Sequence, residues 1–437
     1  FLPFLTRVMA SGVYEIPEVQ FNARSVITNT TPTVAYRGAG RPEATAAIER
    51  AIDLFAAEIG MDPAEVRRRN LVPADAFPYT TPTDTVYDVG DYERSLDLAL
   101  DAAGYADLRA EQARRREAGD RMQIGIGVCI YVEVTAGPQA GGEYGRVVVH
   151  PDGSATAYTG ASAHGQGHDT SFAMLVTDAL GIPLDRVTVK HGDTDEVARG
   201  VGTFGSRSLQ LGGAAIHDAA GQVLDRARQL AADLLEADPA DVELDRANGA
   251  FHVAGSPAVS RAWAEVAAAA GAEGLEAEAD FEAESPTYPF GTHVAVVEVD
   301  TETGLARLVR MVTCDDAGTV LNPLLVEGQR HGGIAQGVAQ ALYEWVRYDE
   351  DGNPQTTNLA DYTMVSAAEL PSFELVTMET PTPINPLGAK GIGESGTIGS
   401  TPAVQSAVCD ALAHLGVRHV DMPCTPERIW EAVRAAG

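Results

Sequence analysis

The stretch Pro386-Leu-Gly-Ala-Lys-Gly-Ile-Gly-Glu-Ser-Gly-Thr-Ile-Gly-Ser400 constrains this chain more than any other. It sets five glycines in fifteen residues around one carboxylate, Glu394, and one ammonium, Lys390. Glycine tolerates positive φ and lets backbone N–H groups come close to a ligand. Ser400 or Thr401 is expected to cap a helix whose first position is Pro402, continued by the apolar run 403–415. An acid would then stand in a Gly-rich loop beside a helix N-terminus, a place that favours a bound anion. Taken by itself, the same stretch also reads as an ordinary connection carrying a solvated Glu.

Gly391-Ile-Gly-Glu-Ser-Gly396 also spells G-x-G-x-x-G. A dinucleotide fingerprint needs a strand just before it and an acid about 20 residues later. Here Pro381-Thr-Pro-Ile-Asn-Pro386 precedes it and cannot form a buried parallel strand. The next acid, Asp410, falls inside the following helical pattern. A nicotinamide-dependent oxidoreductase is therefore only a weak rival reading.

The 437 residues, 45% of them hydrophobic, can fill the cores of two or three domains. Lys and Arg number 31 against 62 Asp and Glu, a net charge of −31. That argues against nucleic acid and anionic membranes as partners, since both require a basic face. Cys129, Cys314, Cys409 and Cys424 are dispersed, so reduced thiols in a cytoplasmic protein are expected, with no intrinsic zinc or iron–sulfur site. Neither a transmembrane helix nor a signal peptide is expected. The chain opens Phe-Leu-Pro-Phe, as a fragment or a processed piece would.

In chain order, 4–14 is expected to be helical and 17–30 extended. Arg37 and Arg41 flank two glycines just before a helix led by Pro42, a candidate anion cradle. Charged helices over 91–120 end in Arg114-Arg-Arg-Glu-Ala-Gly119, read as a solvated linker, and a composition shift near 120 marks a boundary. Strands follow at 124–134 and in a hairpin turning at Pro151-Asp-Gly153. Gly165-Gln-Gly-His168 opens a helix through Leu180, and Gly202-Thr-Phe-Gly-Ser-Arg-Ser208 opens a long one to about Leu235. Both look like backbone pockets for a phosphate. His164 and His168, at i and i+4, suit a metal pair, but with no third ligand nearby a capping or phosphate contact is expected. Hairpins are expected around Asn248-Gly249 and Thr301–Gly304, and a last Gly-rich helix start follows Asn322-Pro323. So many such loops suggest one extended anionic ligand held from several sides.

The ordered motifs resemble the C-terminal part of the molybdenum-binding large subunit of the xanthine dehydrogenase, aldehyde oxidase and CO dehydrogenase family. They are Ala35-Tyr-Arg-Gly-Ala-Gly-Arg-Pro-Glu-Ala44, Gly165-Gln-Gly-His168, Gly192-Asp-Thr-Asp195, Gly202–Ser208, Asn322-Pro323 with Gly328-Gln329 and Gln336-Gly337, and Lys390-Gly-Ile-Gly-Glu394. The resemblance implies an α+β fold of molybdenum cofactor-binding domains, mixed sheets with packed helices. Residues 1–120 would be the C-terminal part of the first such domain and 121–437 the second. It also implies a molybdopterin cofactor, in cytosine dinucleotide form, carrying Mo on the pterin rather than on side chains. Arg37, Gln166, Gly167, His168, Gly205, Ser206, Arg207, Ser208, Gln336 and Lys390 are its expected contacts. Lys390 is expected to serve the cofactor phosphates and to leave Glu394 without a cation. Glu394 matches the family's general base, which takes up a proton as water-derived oxygen reaches an electron-poor carbon of a small aldehyde or N-heterocycle.

Electrons would leave through [2Fe-2S] clusters and FAD on an iron–sulfur subunit and an FAD subunit. A further chain or segment would supply the family's upstream half, which these residues lack. Members with a Mo–Cu centre present a Cys directly after the Ala-Tyr-Arg; here that residue is Gly38, so copper and CO are not expected. A catalytically silent acidic assembly subunit of the same fold is the alternative.

Overall fold

The computed structural model describes residues 2–137 and 141–436. Its strands are β1 (Met122–Val132), β2 (Glu143–Val149), β3 (Ala155–Thr159), β4 (Val187–Lys190), β5 (Leu275–Phe281), β6 (Phe290–Asp300), β7 (Ala306–Asp316) and β8 (Phe373–Met378). Two shorter sheets aside, these form two four-stranded mixed sheets. One runs β8-β7-β6-β1, antiparallel except for β7–β8. The other runs β5-β2-β3-β4, antiparallel except for β3–β4. The helices that matter for the site are α1 (Arg41–Ile59), α2 (Tyr92–Ala103), α3 (Tyr105–Ala118), α4 (His168–Leu180), α5 (Ala214–Leu235), α6 (Pro323–Leu342) and α7 (Ser395–Leu412). This is the α+β arrangement of mixed sheets and packed helices expected from the sequence.

Successive side chains of a strand point to opposite faces, and both faces of the first sheet are covered. Cys129 and Tyr131 share one core with Ala295, Val297 and Val299 and with α6 and α7. Ile126, Val128, Ile130 and Val132 join the opposite core with Tyr92, Leu96 and Ala99 of α2. This double burial is why β1 reads as an unbroken apolar run. The second core also takes in Val8, Met9 and Tyr14, so the chain before β1 packs onto this sheet. The other sheet is covered by α4 and α5 through Phe172, Val176, Ala219 and Val223.

Helix α7 is the centre of the packing, with 17 of its 18 residues buried. It lies against β1 at two glycines. A Cβ on Gly125 would fall 1.8 Å from the Ala407 carbonyl oxygen, and one on Gly127 would fall 1.9 Å from that of Ala403. Main chain therefore touches main chain, through Ala403, Ala407 and Ala411 on the helix.

The expected start of this helix is corrected. It begins at Ser395, and Pro402 lies inside it. Ser400 and Thr401 do not cap it; their hydroxyls bond back to the carbonyls of Gly396 and Thr397, at 2.7 and 2.9 Å. The segment read as a solvated linker belongs to α3, where Arg115 pairs with Glu298 at 2.7 Å and Arg116 with Asp410 at 3.4 Å. The expected helix over 4–14 is a short one, Leu2–Val8. No helix among the described residues is long and apolar enough to cross a membrane.

Candidate functional site

A cavity of about 470 Å³ opens where the Gly-rich segments meet. Its walls are Tyr36–Arg37, the start of α4, the loop 203–209, the turn into α6, and residues 390–394. The two loops expected to share a phosphate, around Gln166 and around Ser206, do face one space.

Glu394 occupies the N-cap position of α7, where the helix dipole favours a negative charge. Its Oε1 accepts from the Gly38 N–H at 3.0 Å. Its Oε2 takes the Arg41 guanidinium at 2.6 Å and the Ser206 hydroxyl at 2.9 Å. Burial works against its charge, but Arg41, the Gly38 N–H and Ser206 outweigh burial and hold the carboxyl below its usual range. The expectation that Glu394 has no cation is thus overturned: Lys390 is not its partner, but Arg41 is. Arg41 is read better as a clamp on the protein's own carboxylates than as a cradle for a foreign anion.

Ser206 reaches Glu394 because the loop turns into left-handed backbone there, φ being 54°. That conformation is uncommon for a residue with a side chain and clusters at functional sites. Gly391 lets residues 390–394 lie on this turn, since a Cβ there would meet Ser206 at 2.5 Å. Arg37 fixes the same segment from the other side. Its Nε donates to the Gly393 carbonyl at 2.5 Å, and its two terminal nitrogens reach Gln336 Oε1 at 3.2 Å and the Gln329 carbonyl at 3.1 Å. The neighbouring Arg330 ties α6 to β7 through Asp315 at 2.7 Å.

The sequence-predicted residues divide into two groups. Arg37, Gln166, His168, Gly205, Ser206, Ser208, Lys390 and Glu394 line the cavity. His168 donates from Nδ1 to the Ala161 carbonyl at 3.1 Å, and burial holds the ring neutral, which leaves Nε2 an acceptor. Gly167 supplies the left-handed N-cap of α4. Gln336 stands behind Arg37 and does not line the cavity. Arg207 is not in the lining either. It is fully buried behind the loop, on Glu143 at 2.7 Å and on the carbonyls of Gly202 and Gly142 at 2.7 and 2.6 Å. Its charge pins the loop's shape. The Lys390 ammonium is likewise turned inward, to Asp316 at 3.3 Å, because a buried ammonium needs a counter-charge.

The sequence reading misassigned one residue of the site and missed another. Arg41 was seen, but as an anion site. Glu133 was not singled out, although an acid closing the apolar run of β1 is a signal that something charged must meet it.

A bound polyanionic cofactor fits this cavity. In a chain of net charge −31, Glu394 is the one acidic side chain among the described lining residues, while Arg37 and the amide of Gln166 stand in the wall. The first N–H groups of α4 also have no side-chain cap and lie at the wall.

Two family models described as molybdopterin cofactor-binding domain match the chain, over residues 98–371 and 2–71. The chain belongs to the molybdopterin cofactor-binding family. It is 40% identical to the carbon monoxide dehydrogenase large chain of Hydrogenophaga pseudoflava, over 98% of this chain and 55% of that one. It is 39% identical to the 6-hydroxypseudooxynicotine dehydrogenase complex subunit gamma of Paenarthrobacter nicotinovorans, over 98% and 54%. Among solved structures, quinoline 2-oxidoreductase from Pseudomonas putida 86 superposes with a TM-score of 0.92 at 36% identity, over 98% of this chain and 57% of that one. The resemblance read from the ordered motifs is borne out, and the chain spans about half the length of these relatives.

Proposed function

We propose that this molybdopterin-binding chain forms the catalytic part of a molybdenum hydroxylase large subunit that oxidises an aldehyde or N-heterocycle with water as the oxygen source. The observation that carries this reading is Glu394, held ionised at a helix N-terminus in the wall of the cavity. The cofactor, when bound, supplies the two-electron redox couple and the oxygen-transfer chemistry. Glu394 supplies the base: Oε1 has one protein partner and keeps a lone pair for a proton, while Oε2 is fully engaged. Gln166, Ser208 and the N–H groups opening α4 would hold cofactor phosphates, a reading supported by their shared cavity wall. Leu209, Leu325 and Ile392 add apolar wall to the same cavity.

The relatives act on different substrates, and Gly38 favours the heterocycle or aldehyde reading over carbon monoxide. Its φ is 98°, and a Cβ there would meet Pro42 Cγ at 2.7 Å, so a copper-binding Cys does not fit this backbone. The likeness to a complex subunit supports iron–sulfur and FAD partners, together with a segment completing the large subunit. Four unpaired buried cysteines support a cytoplasmic setting. The domain boundary near 120 stays part of this proposal.

Elemental analysis of the complex purified with its partners should find molybdenum, and a screen of aldehydes and N-heterocycles with a dye acceptor should find turnover. Metal-free protein that binds NAD would overturn the reading. The Arg41–Glu394 pair adds a second test. Removing an adjacent cation raises a carboxyl pKa by ~1–3 units. Arg41→Gln is therefore expected to move the acid limb of kcat/KM to higher pH. An acid limb that stays in place would show that Arg41 does not set the base.

A further inference from the structure

Glu133 has no part in the chemistry above, yet it lies directly behind the base. It follows the last residue of β1, on the face that meets α7, and is fully buried. Its Oε2 accepts from the Ser395 hydroxyl at 2.9 Å. Its Oε1 lies 3.0 Å from Ser206 Oγ and 3.3 Å from the Arg41 guanidinium. Ser206 Oγ is also 2.9 Å from Glu394 Oε2. One serine hydroxyl therefore touches two carboxyl groups, and it has one hydrogen to give.

With both carboxyls ionised, one of those two contacts would be oxygen against oxygen with no hydrogen between them. Two negative charges would also share the single guanidinium of Arg41. A proton on one carboxyl removes both faults. On Glu394 it would weaken the 2.6 Å charge contact of Oε2 with Arg41, whereas Glu133 meets the same guanidinium only at 3.3 Å. On Glu133 Oε1 it has a partner, because Ser206 Oγ can accept it and pass its own hydrogen to Glu394 Oε2.

We propose that Glu133 is a positioning residue that stays protonated at neutral pH and, by donating to Ser206, aims the serine hydroxyl at Glu394. This rests on the reading of Glu394 as the base. The groups facing Glu133 are Arg41 from α1, Glu394 and Ser395 from α7, and Ser206 from the loop before α5, with Arg37 and Tyr131 also within its electrostatic reach. Burial pushes its carboxyl up to about 8; Arg41 pulls it down and the charge on Glu394 adds to the rise.

Above about pH 8 Glu133 ionises, and Ser206, with one hydrogen, can no longer serve both acids, so Glu394 is left to Arg41 and the Gly38 N–H for part of the time. The linkage follows. A carboxyl whose folded pKa is raised stabilises the fold fully below its unfolded value near 4.5, and that contribution is lost as pH rises through about 8.

Two readouts test the proposal. Infrared difference spectra of the purified protein at pH 7, wild type minus Glu133→Gln, should contain the C=O band of a protonated carboxyl, which no turnover is needed to see. Ser206→Ala should shift that band by removing its hydrogen-bond partner, and this second variant serves if the first folds poorly. In the holoenzyme, the wild-type rate should fall by about tenfold per pH unit above about 8, and this limb should be missing in Glu133→Gln. Only carboxylate bands in the difference spectrum, or an unchanged alkaline limb, would overturn the proposal. A protonated band in a protein that turns over no substrate would uphold the proton assignment and instead refute the catalytic reading of Glu394.

Discussion

Glu394→Gln is expected to leave the molybdenum content near normal while lowering turnover at least ~10²-fold, the usual range for loss of a general base. The substitution keeps the shape of the side chain. Its amide still meets Gly38 or Ser206 with one end, so the loop 390–394 retains the support of Arg37 on the Gly393 carbonyl. It has no lone pair basic enough to hold a proton, and it also gives up the charge that faces Arg41. Molybdenum measured on the same preparation separates the outcomes. Loss of metal together with loss of rate would make Glu394 a structural residue, and full activity with Gln would end its assignment as the base.

Gly127→Ala, like Gly125→Ala, is expected to be among the most destabilising single-methyl additions to the described residues. The new Cβ would sit 1.9 Å from the Ala403 carbonyl oxygen and 2.6 Å from the Ala407 nitrogen. Those are backbone atoms and have no rotamer to escape into. Overpacking a core costs ~1–3 kcal/mol and occasionally more, and here α7 cannot move away because 17 of its 18 residues are already packed. A large drop in Tm, or insoluble protein, is the expected result. Gly221→Ala is the control: it lies inside α5 with nothing within 4 Å of the added methyl, and should gain ~0.5–1 kcal/mol from helix propensity. Similar melting of both variants would show that the contact between β1 and α7 is loose.

What was legible in the sequence was local. Pro42 and Asn322 with Pro323 mark helix starts by their own chemistry, and the structure places helices there. Asp152-Gly153 and Asn248-Gly249 mark hairpins in the same way. The glycine loops announced a shared cavity because so many stood at helix starts. The start of α7 was not legible. Pro402 argues for an N-terminus by propensity, but the helix is held by burial between β1, β6 and α6, and packing outweighs a local preference. Nor could the sequence say which way a cation points. Arg41, Arg207 and Lys390 each lie in a motif that suits an anion, and each meets a carboxylate of the chain itself: Glu394, Glu143 and Asp316. Those partners are 353, 64 and 74 residues away, so only the assembled fold brings them together.

The two glycines of β1 have a consequence for how finely the base can be placed. Two residues of strand span about 6.6 Å, and one step of four residues along a helix spans about 6.0 Å. Gly125 and Gly127 therefore act as adjacent notches for successive turns of α7, the one taking Ala407 and Ala411 and the other Ala403 and Ala407. A helix seated this way can rest in register or be displaced by a whole turn, but it has no stable stop between. Glu394, at its end, inherits that property. Drift in the surrounding side chains can then loosen the protein as a whole while the helix keeps its register and Glu394 its place at the helix start.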